Sequence, residues 1–278
     1  MNRFDVVIVP KTKWFDINIK ELLRYRELII LFVKRNFISQ YKQTILGPAW
    51  AVIQPFFTTV IFTVVFGSLA GLSADGVPSF LFYMSGTVAW TYFSACLTKT
   101  ANTFTENASI LGKVYFPRLV MPVSAVLTNL IAFAIQFLML LCFLIFYAIR
   151  GDVNPGVHVL LIPLLVLQMA MLSLGSGIIV SALTTKYRDL QMLVGFGVQL
   201  WMYGTPVAYD MRIIPKKYLG LYMLNPMTPI INTFRKALLG IGVFQLKYYV
   251  CGWAVTIVIL LAGIVLFNHV EKTFMDTV

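Results

Sequence analysis

The chain has 278 residues, 59% of them hydrophobic and 12% charged, with a mean hydropathy of +0.83. Soluble domains run at about 45–50% apolar and about 25% charged, so this balance excludes a disordered chain, a coiled coil and an ordinary soluble enzyme. The net charge of +11 does not mark a nucleic-acid partner, because the basic residues fall between apolar runs and not on one face of a soluble module. The expected fold class is an all-α polytopic membrane protein. Cys96, Cys142 and Cys251 lie far apart in or beside apolar segments, with no metal spacing and no disulfide framework, and read as small buried hydrophobes.

Residues 1–48 read as a cytoplasmic N-terminal segment with nine Lys and Arg and no secretory leader, since the apolar run Leu28–Val33 is too short to span. Within it, Ile19–Tyr41 predicts a helix in which Leu22, Tyr25, Ile29 and Phe32 alternate with Lys20, Arg24, Glu27, Lys34 and Arg35. Such a helix lies along the inner leaflet with its cations toward lipid phosphates; packing on a protein partner is the other reading, and both can hold. Leu22, Arg24, Tyr25, Lys34 and Arg35 are its candidate interface residues.

Residues 49–270 then carry six predicted spans, about 49–70, 79–98, 119–149, 159–185, 190–208 and 249–268, followed by a short cytoplasmic tail at 271–278. Each span approaches the roughly 20 apolar residues that a bilayer requires. Pro163 is a candidate kink in the fourth. With the N-terminus inside, the inner segments hold 15 of the 22 Lys and Arg. The opposing signal is one outer loop carrying Arg212, Lys216, Lys217, Arg235, Lys236 and Lys247. The first span's flanks differ by nine to zero and set an N-in, C-in orientation.

That last outer loop predicts a short helix. Thr228 suits an N-cap, Pro229 the first helical position and Gly240 the residue past the end. Ile230, Ile231, Phe234 and Leu238 line one face, with Arg235 and Lys236 opposite. About eleven residues cannot cross a bilayer, so the helix is expected to be re-entrant or to lie on the outer surface near a pore mouth.

The span cores hold no Asp, Glu, Lys, Arg or His except Lys99 and Asp189 at their edges. Proton-coupled transporters keep intramembrane charges as relays; sodium coupling through unwound backbone stays open. The run Gly151–Gly156 has phosphate-loop spacing but is followed by Val157 and His158 instead of Lys and Ser/Thr. A membrane enzyme is the rival class, yet His158 and His269 fall near opposite faces, and Glu106 and Asp189 sit in no catalytic motif. The simplest remaining design is a pathway powered by another chain.

Four segments then carry a resemblance. Tyr41–Trp50 with Gln54 and Pro55 resembles the approach to the first span in type-2 ABC exporter permeases of the polysaccharide branch. Ile110–Arg118 with Pro122, Tyr187–Leu190, and Leu224–Met227 with Arg235 beyond resemble that family's later loops, in the same order. The chain departs at Gln40 and Gly112, where the family often has basic residues. The resemblance implies a homodimer in the bacterial inner membrane with two ATP-binding cassette subunits, which would bind the ATP and Mg; this chain itself would need no cofactor. It implies export of a lipid-linked polysaccharide such as O antigen, teichoic acid or capsule, and the alternative is a small lipid or drug.

Within that frame the segment 98–117 is the candidate contact for the ATPase, through Thr103, Glu106, Asn107 and Lys113, with Asn102 or Thr103 as its cap and Pro117 as its end. Arg188 and Asp189 are either a lever contact or a local ion pair. Sugar rings stack on aromatic planes, so Phe56, Phe62, Tyr83, Trp90, Phe93, Trp201 and Tyr203 are candidate pathway lining, against a plain role in packing and interface anchoring. Thr58, Thr59, Gln136 and Gln199 are candidate polar partners, and Asn225, Pro226, Phe234 and Arg235 form the candidate outer gate.

Overall fold

The computed structural model describes residues 19–42, 44–72, 76–111, 113, 116–186, 189–242 and 244–277. Among these there is helix and turn but no strand. The predicted N-terminal helix is present with its predicted ends but breaks at Tyr25, giving α1 (Ile19–Arg24) and α2 (Arg26–Tyr41). Gly47–Ala49 leads into α3 (Trp50–Phe62), which continues as a π-helical stretch over Thr63–Leu69. Then follow α4 (Ser79–Ala101), α5 (Thr103–Leu111), α6 (Val120–Ile149), α7 (Ile162–Lys186) and α8 (Leu190–Tyr203). Two single turns precede α9 (Leu219–Tyr222), α10 (Met227–Leu239) and α11 (Leu246–Thr277).

Four segments among the described residues are long and apolar enough to cross a membrane: Gly47–Leu69, Val120–Ile149, Val157–Thr184 and Leu246–Phe267. The other two predicted spans differ for separate physical reasons. Helix α4 has 23 residues, 16 of them buried, and carries Ser85, Thr87, Thr91, Ser94 and Thr98. It meets protein on nearly every side, so it needs no lipid-facing apolar surface. Helix α8 stops after 14 residues, about 21 Å at the helical rise, and the buried turn 205–208 carries the chain onward. By contrast α6 exposes Leu138, Ile145 and Phe146 along its outer face.

Pro163 causes no interior kink: it sits in the first turn of α7, where a missing N–H costs nothing. Helix α11 runs unbroken to Thr277, so the segment predicted as a tail continues the helix. Helix α4 is the hub of the bundle, packing on α3, α6, α7, α8 and α10, while α11 closes on α7.

Helix α2 packs on α6, with Phe32 buried beside Phe104, Phe116, Val120 and Met121, and Leu22, Tyr25 and Ile29 against the same cluster. The apolar face predicted for lipid is therefore spent on protein. Leu23, Ile30, Leu31 and Ile38 stay exposed, together with Arg24 and Lys34.

Candidate functional site

At the α5 end, short polar links tie neighbouring elements together. Asn107 interrupts α5 with non-helical φ and ψ of −117° and 16°. Its Nδ2 donates to the Thr103 carbonyl at 2.9 Å, and its Oδ1 accepts from Arg35 Nη2 at 3.1 Å. Arg35 also lies over the Phe32 ring at 4.7 Å, so the α2 helix is pinned to α5 through one guanidinium. Glu106 stands 3.7 Å from Lys99 with both side chains about half exposed. Gln191, at the start of α8, donates to Asn102 Oδ1 at 3.2 Å and Thr105 Oγ1 at 3.5 Å.

Asn102 directly precedes α5, as expected of its cap, while the other details differ. Asn102 is engaged by Gln191, Thr103 is buried with its hydroxyl donating back to Lys99, and α5 ends at Leu111, well before Pro117. Lys113 is exposed. Asp189 is exposed too and accepts from the Leu190 N–H at 3.0 Å, an N-terminal cap of α8. Arg188 lies outside the described residues.

Two cavities with shared lining residues open beside these links. One, of about 520 Å³, lies between α2, α5 and α6 and is bordered by Arg35, Ser39, Gln40, Lys99, Thr128 and Asn129. The second, of about 450 Å³, shares Gln40, Lys99 and Asn129 and continues along Gln54, Thr91, Ser94, Thr98 and Gln136. Together they line a stripe of hydroxyls and amides, flanked by Arg35, Lys99 and Glu106, along the open side of an apolar bundle.

The aromatic candidates go elsewhere. None of the seven borders either cavity; the aromatics that do are Tyr41 and Trp50. Tyr83 and Phe93 are fully buried and Trp90 nearly so, enclosed by the chain's own core, and they present no surface to a passing polymer. Trp90, Phe93 and Trp201 meet in one cluster, Phe62 packs on Tyr83, Phe56 packs on Phe80 and Phe143, and Tyr203 is exposed. Of the predicted polar partners Gln136 alone borders the stripe; Thr58 and Thr59 bond their own helix.

The opposite end of α4 is held differently. Arg235, expected on an exposed face of α10, is only 2% exposed. Its Nη1 donates to the carbonyls of Pro206 at 2.7 Å and Tyr209 at 3.4 Å. Its Nη2 donates to Val207 at 2.7 Å and Phe82 at 3.4 Å, and the guanidinium covers the Phe82 ring at 3.7 Å. Gly86 makes room for it, since a Cβ there would lie 2.8 Å from Nη2 and 2.9 Å from the Val207 oxygen. Burial pushes the guanidinium pKa down to about 9, the charge of Asp210 opposing the shift, so it stays protonated at neutral pH.

Asn225 completes this clasp. Its Oδ1 accepts from Trp201 Nε1 at 2.9 Å and from the Met227 N–H at 3.1 Å, while its Nδ2 donates to Gly204 and Thr205. Helix α10 thus starts at Met227, whose N–H donates to Asn225, two residues before the predicted first helical residue Pro229 and with Pro226, not Thr228, at the cap position. It ends at Gly240 with φ of 73°, as predicted. Twelve of its 13 residues are buried, Pro226 and Phe234 are buried with them, and α10 packs on α4, α7 and α11, which excludes a surface position.

Sequence reasoning misses Gly86, Phe82, Gln191, the Arg35–Asn107 bond and most of the polar stripe. A signal for the stripe exists: Thr91, Ser94 and Thr98 recur at helical spacing, as do Asn129 and Gln136 two turns apart.

The ABC-2 type transporter family model matches residues 27–239. The O-antigen export system permease protein RfbA of Klebsiella pneumoniae is 27% identical over 255 residues, covering 90% of this chain and 94% of that protein. The protein of the same name from Myxococcus xanthus is 27% identical, covering 94% and 98%. The polysialic acid transport protein KpsM of Escherichia coli is 20% identical, covering 87% and 93%. The match takes in α2, the α5 links, the polar stripe and the Arg235 clasp alike, and the chain belongs to the ABC-2 type transporter family.

Proposed function

We propose that this chain is the membrane subunit of an ATP-driven exporter of a lipid-linked cell-surface polysaccharide. The observation that carries this reading is the run of hydroxyls and amides, with Arg35, Lys99 and Glu106 beside it, along two open clefts of an otherwise apolar bundle. Such a polar lining matches sugar hydroxyls, whereas a drug or small lipid calls for an apolar cleft. The names of the relatives, O-antigen export and polysialic acid transport, point the same way.

In this reading the chain crosses the bacterial inner membrane six times, with the buried α4 and the shorter, largely exposed α8 among the spans and both termini inside. Two copies assemble with two ATP-binding subunits, which hold the ATP and Mg. The subunits press on α5 at Glu106 and Asn107 and on Lys113 just past its end, and Arg188 and Asp189 are further candidate contacts. Through Arg35 the movement of α5 reaches α2, which lies among inner-leaflet headgroups where the lipid-linked polymer is taken up. The exposed links rearrange at modest cost, since half-exposed ion pairs contribute only about 0–1 kcal/mol.

Inverted inner-membrane vesicles carrying labelled lipid-linked glycan test this. ATP is expected to drive the glycan into the lumen when this chain and its ATP-binding partner are both present. Movement that needs a sodium gradient and ignores ATP refutes the proposal.

A further inference from the structure

The six basic residues of the predicted last outer loop run against the usual placement of positive charge, and packing occupies only some of them. Arg235 is the buried clasp, and Lys236 Nζ donates to the Gly240 carbonyl at 2.9 Å near the C-terminus of α10. Arg212 is held by Asp210, the one acid between residues 204 and 248. Lys216, Lys217 and Lys247 are exposed, and among the described residues none has a carboxylate in ion-pair reach.

Lys216 borders a third cavity, of about 410 Å³, whose other polar groups are Asp210, Arg212, Asn232 and Gln245 over a floor of methionine and aliphatic side chains. That volume falls in the ~300–1,000 Å³ range of small-ligand sites. Asp210 is fixed in place: it accepts from the Arg212 backbone N–H at 2.9 Å and from Nε at 2.9 Å, with Nη2 at 2.8 Å. A preset carboxylate and guanidinium beside two amides offer acceptors and donors to ring hydroxyls, and the apolar floor suits a sugar's C–H face. Lys216 adds a positive charge that Asp210, already held by Arg212, does not cancel.

We propose that this cavity is an outer-mouth subsite for an acidic sugar, one bearing a carboxylate or phosphate, of the exported polymer. The proposal rests on the export reading and sharpens it by naming the substrate's charge.

The test uses the purified full-length chain in phosphatidylcholine nanodiscs. A galacturonic acid tetramer and neutral maltotetraose are titrated by calorimetry. The acidic tetramer is expected to bind more tightly, with its advantage fading at high salt. Lys216→Gln is expected to weaken it about fivefold, the scale of one exposed charge pair, with unchanged thermal unfolding. Equal binding of the two tetramers, or an indifferent K216Q, overturns the proposal. So does displacement of the tetramer when phosphatidylglycerol replaces phosphatidylcholine, which would assign the cation to lipid headgroups. ATP-driven glycan movement in vesicles is read separately, so this subsite can fail while the export reading stands.

Discussion

The two ends of α4 are built on opposite principles. At the α10 end one buried guanidinium donates to four backbone carbonyls, three of those bonds out of water, and Asn225 makes four further, partly exposed bonds. At the α5 end the links are a half-exposed Lys99–Glu106 pair and single side-chain bonds from Arg35 and Gln191. Desolvated, multiply bonded groups are expensive to break, whereas exposed pairs exchange readily with water. The contrast separates a fixed frame at one end from a surface at the other that a partner can rearrange.

Substitutions that break the comparison start at the clasp. Arg235→Ala leaves four carbonyls without their donor and is expected to cost on the order of 3–5 kcal/mol, read as loss of folded protein after detergent extraction. Arg235→Lys recovers only part of it, because one ammonium cannot reproduce the planar fork. Asn225→Ala follows at about 2 kcal/mol, since it orphans the Trp201 indole N–H and the start of α10. Gly86→Ala is expected to cost about 1–3 kcal/mol by overpacking against Arg235 and Val207, seen as a lower Tm. At the α5 end Glu106→Gln is expected to change stability by less than about 1 kcal/mol, yet to lower ATP-driven glycan movement in vesicles. Equal stability losses at the two ends would erase the distinction.

Much of this architecture is legible in residue order. The polar N-terminal helix, the long apolar segments and the helix stop at Gly240 all leave marks in the sequence. What residue order hides has one physical cause. Periodicity and hydropathy report whether a side chain is apolar, not whether it faces lipid or protein. Tyr83, Trp90 and Phe93 suit a sugar pathway by chemistry alone, but α4 is the interior helix and its aromatics fill the core. Arg235 reads as a wet residue because a lone cation in water is the ordinary case, and its partners are carbonyls far away in sequence. Asn107 stands out as a polar residue of its segment, while its bond to Arg35 spans 72 positions that no local pattern connects.

The most direct measurement is made in cells. The gene is deleted and lipid-linked glycan is fractionated by membrane face, then the wild type and a Glu106→Ala, Lys113→Ala double variant are restored in turn. The account predicts polymer trapped inside in the deletion strain, cleared by the wild type, and still trapped with the variant although that protein is folded at normal levels. Normal glycan on the surface of the deletion strain would contradict it.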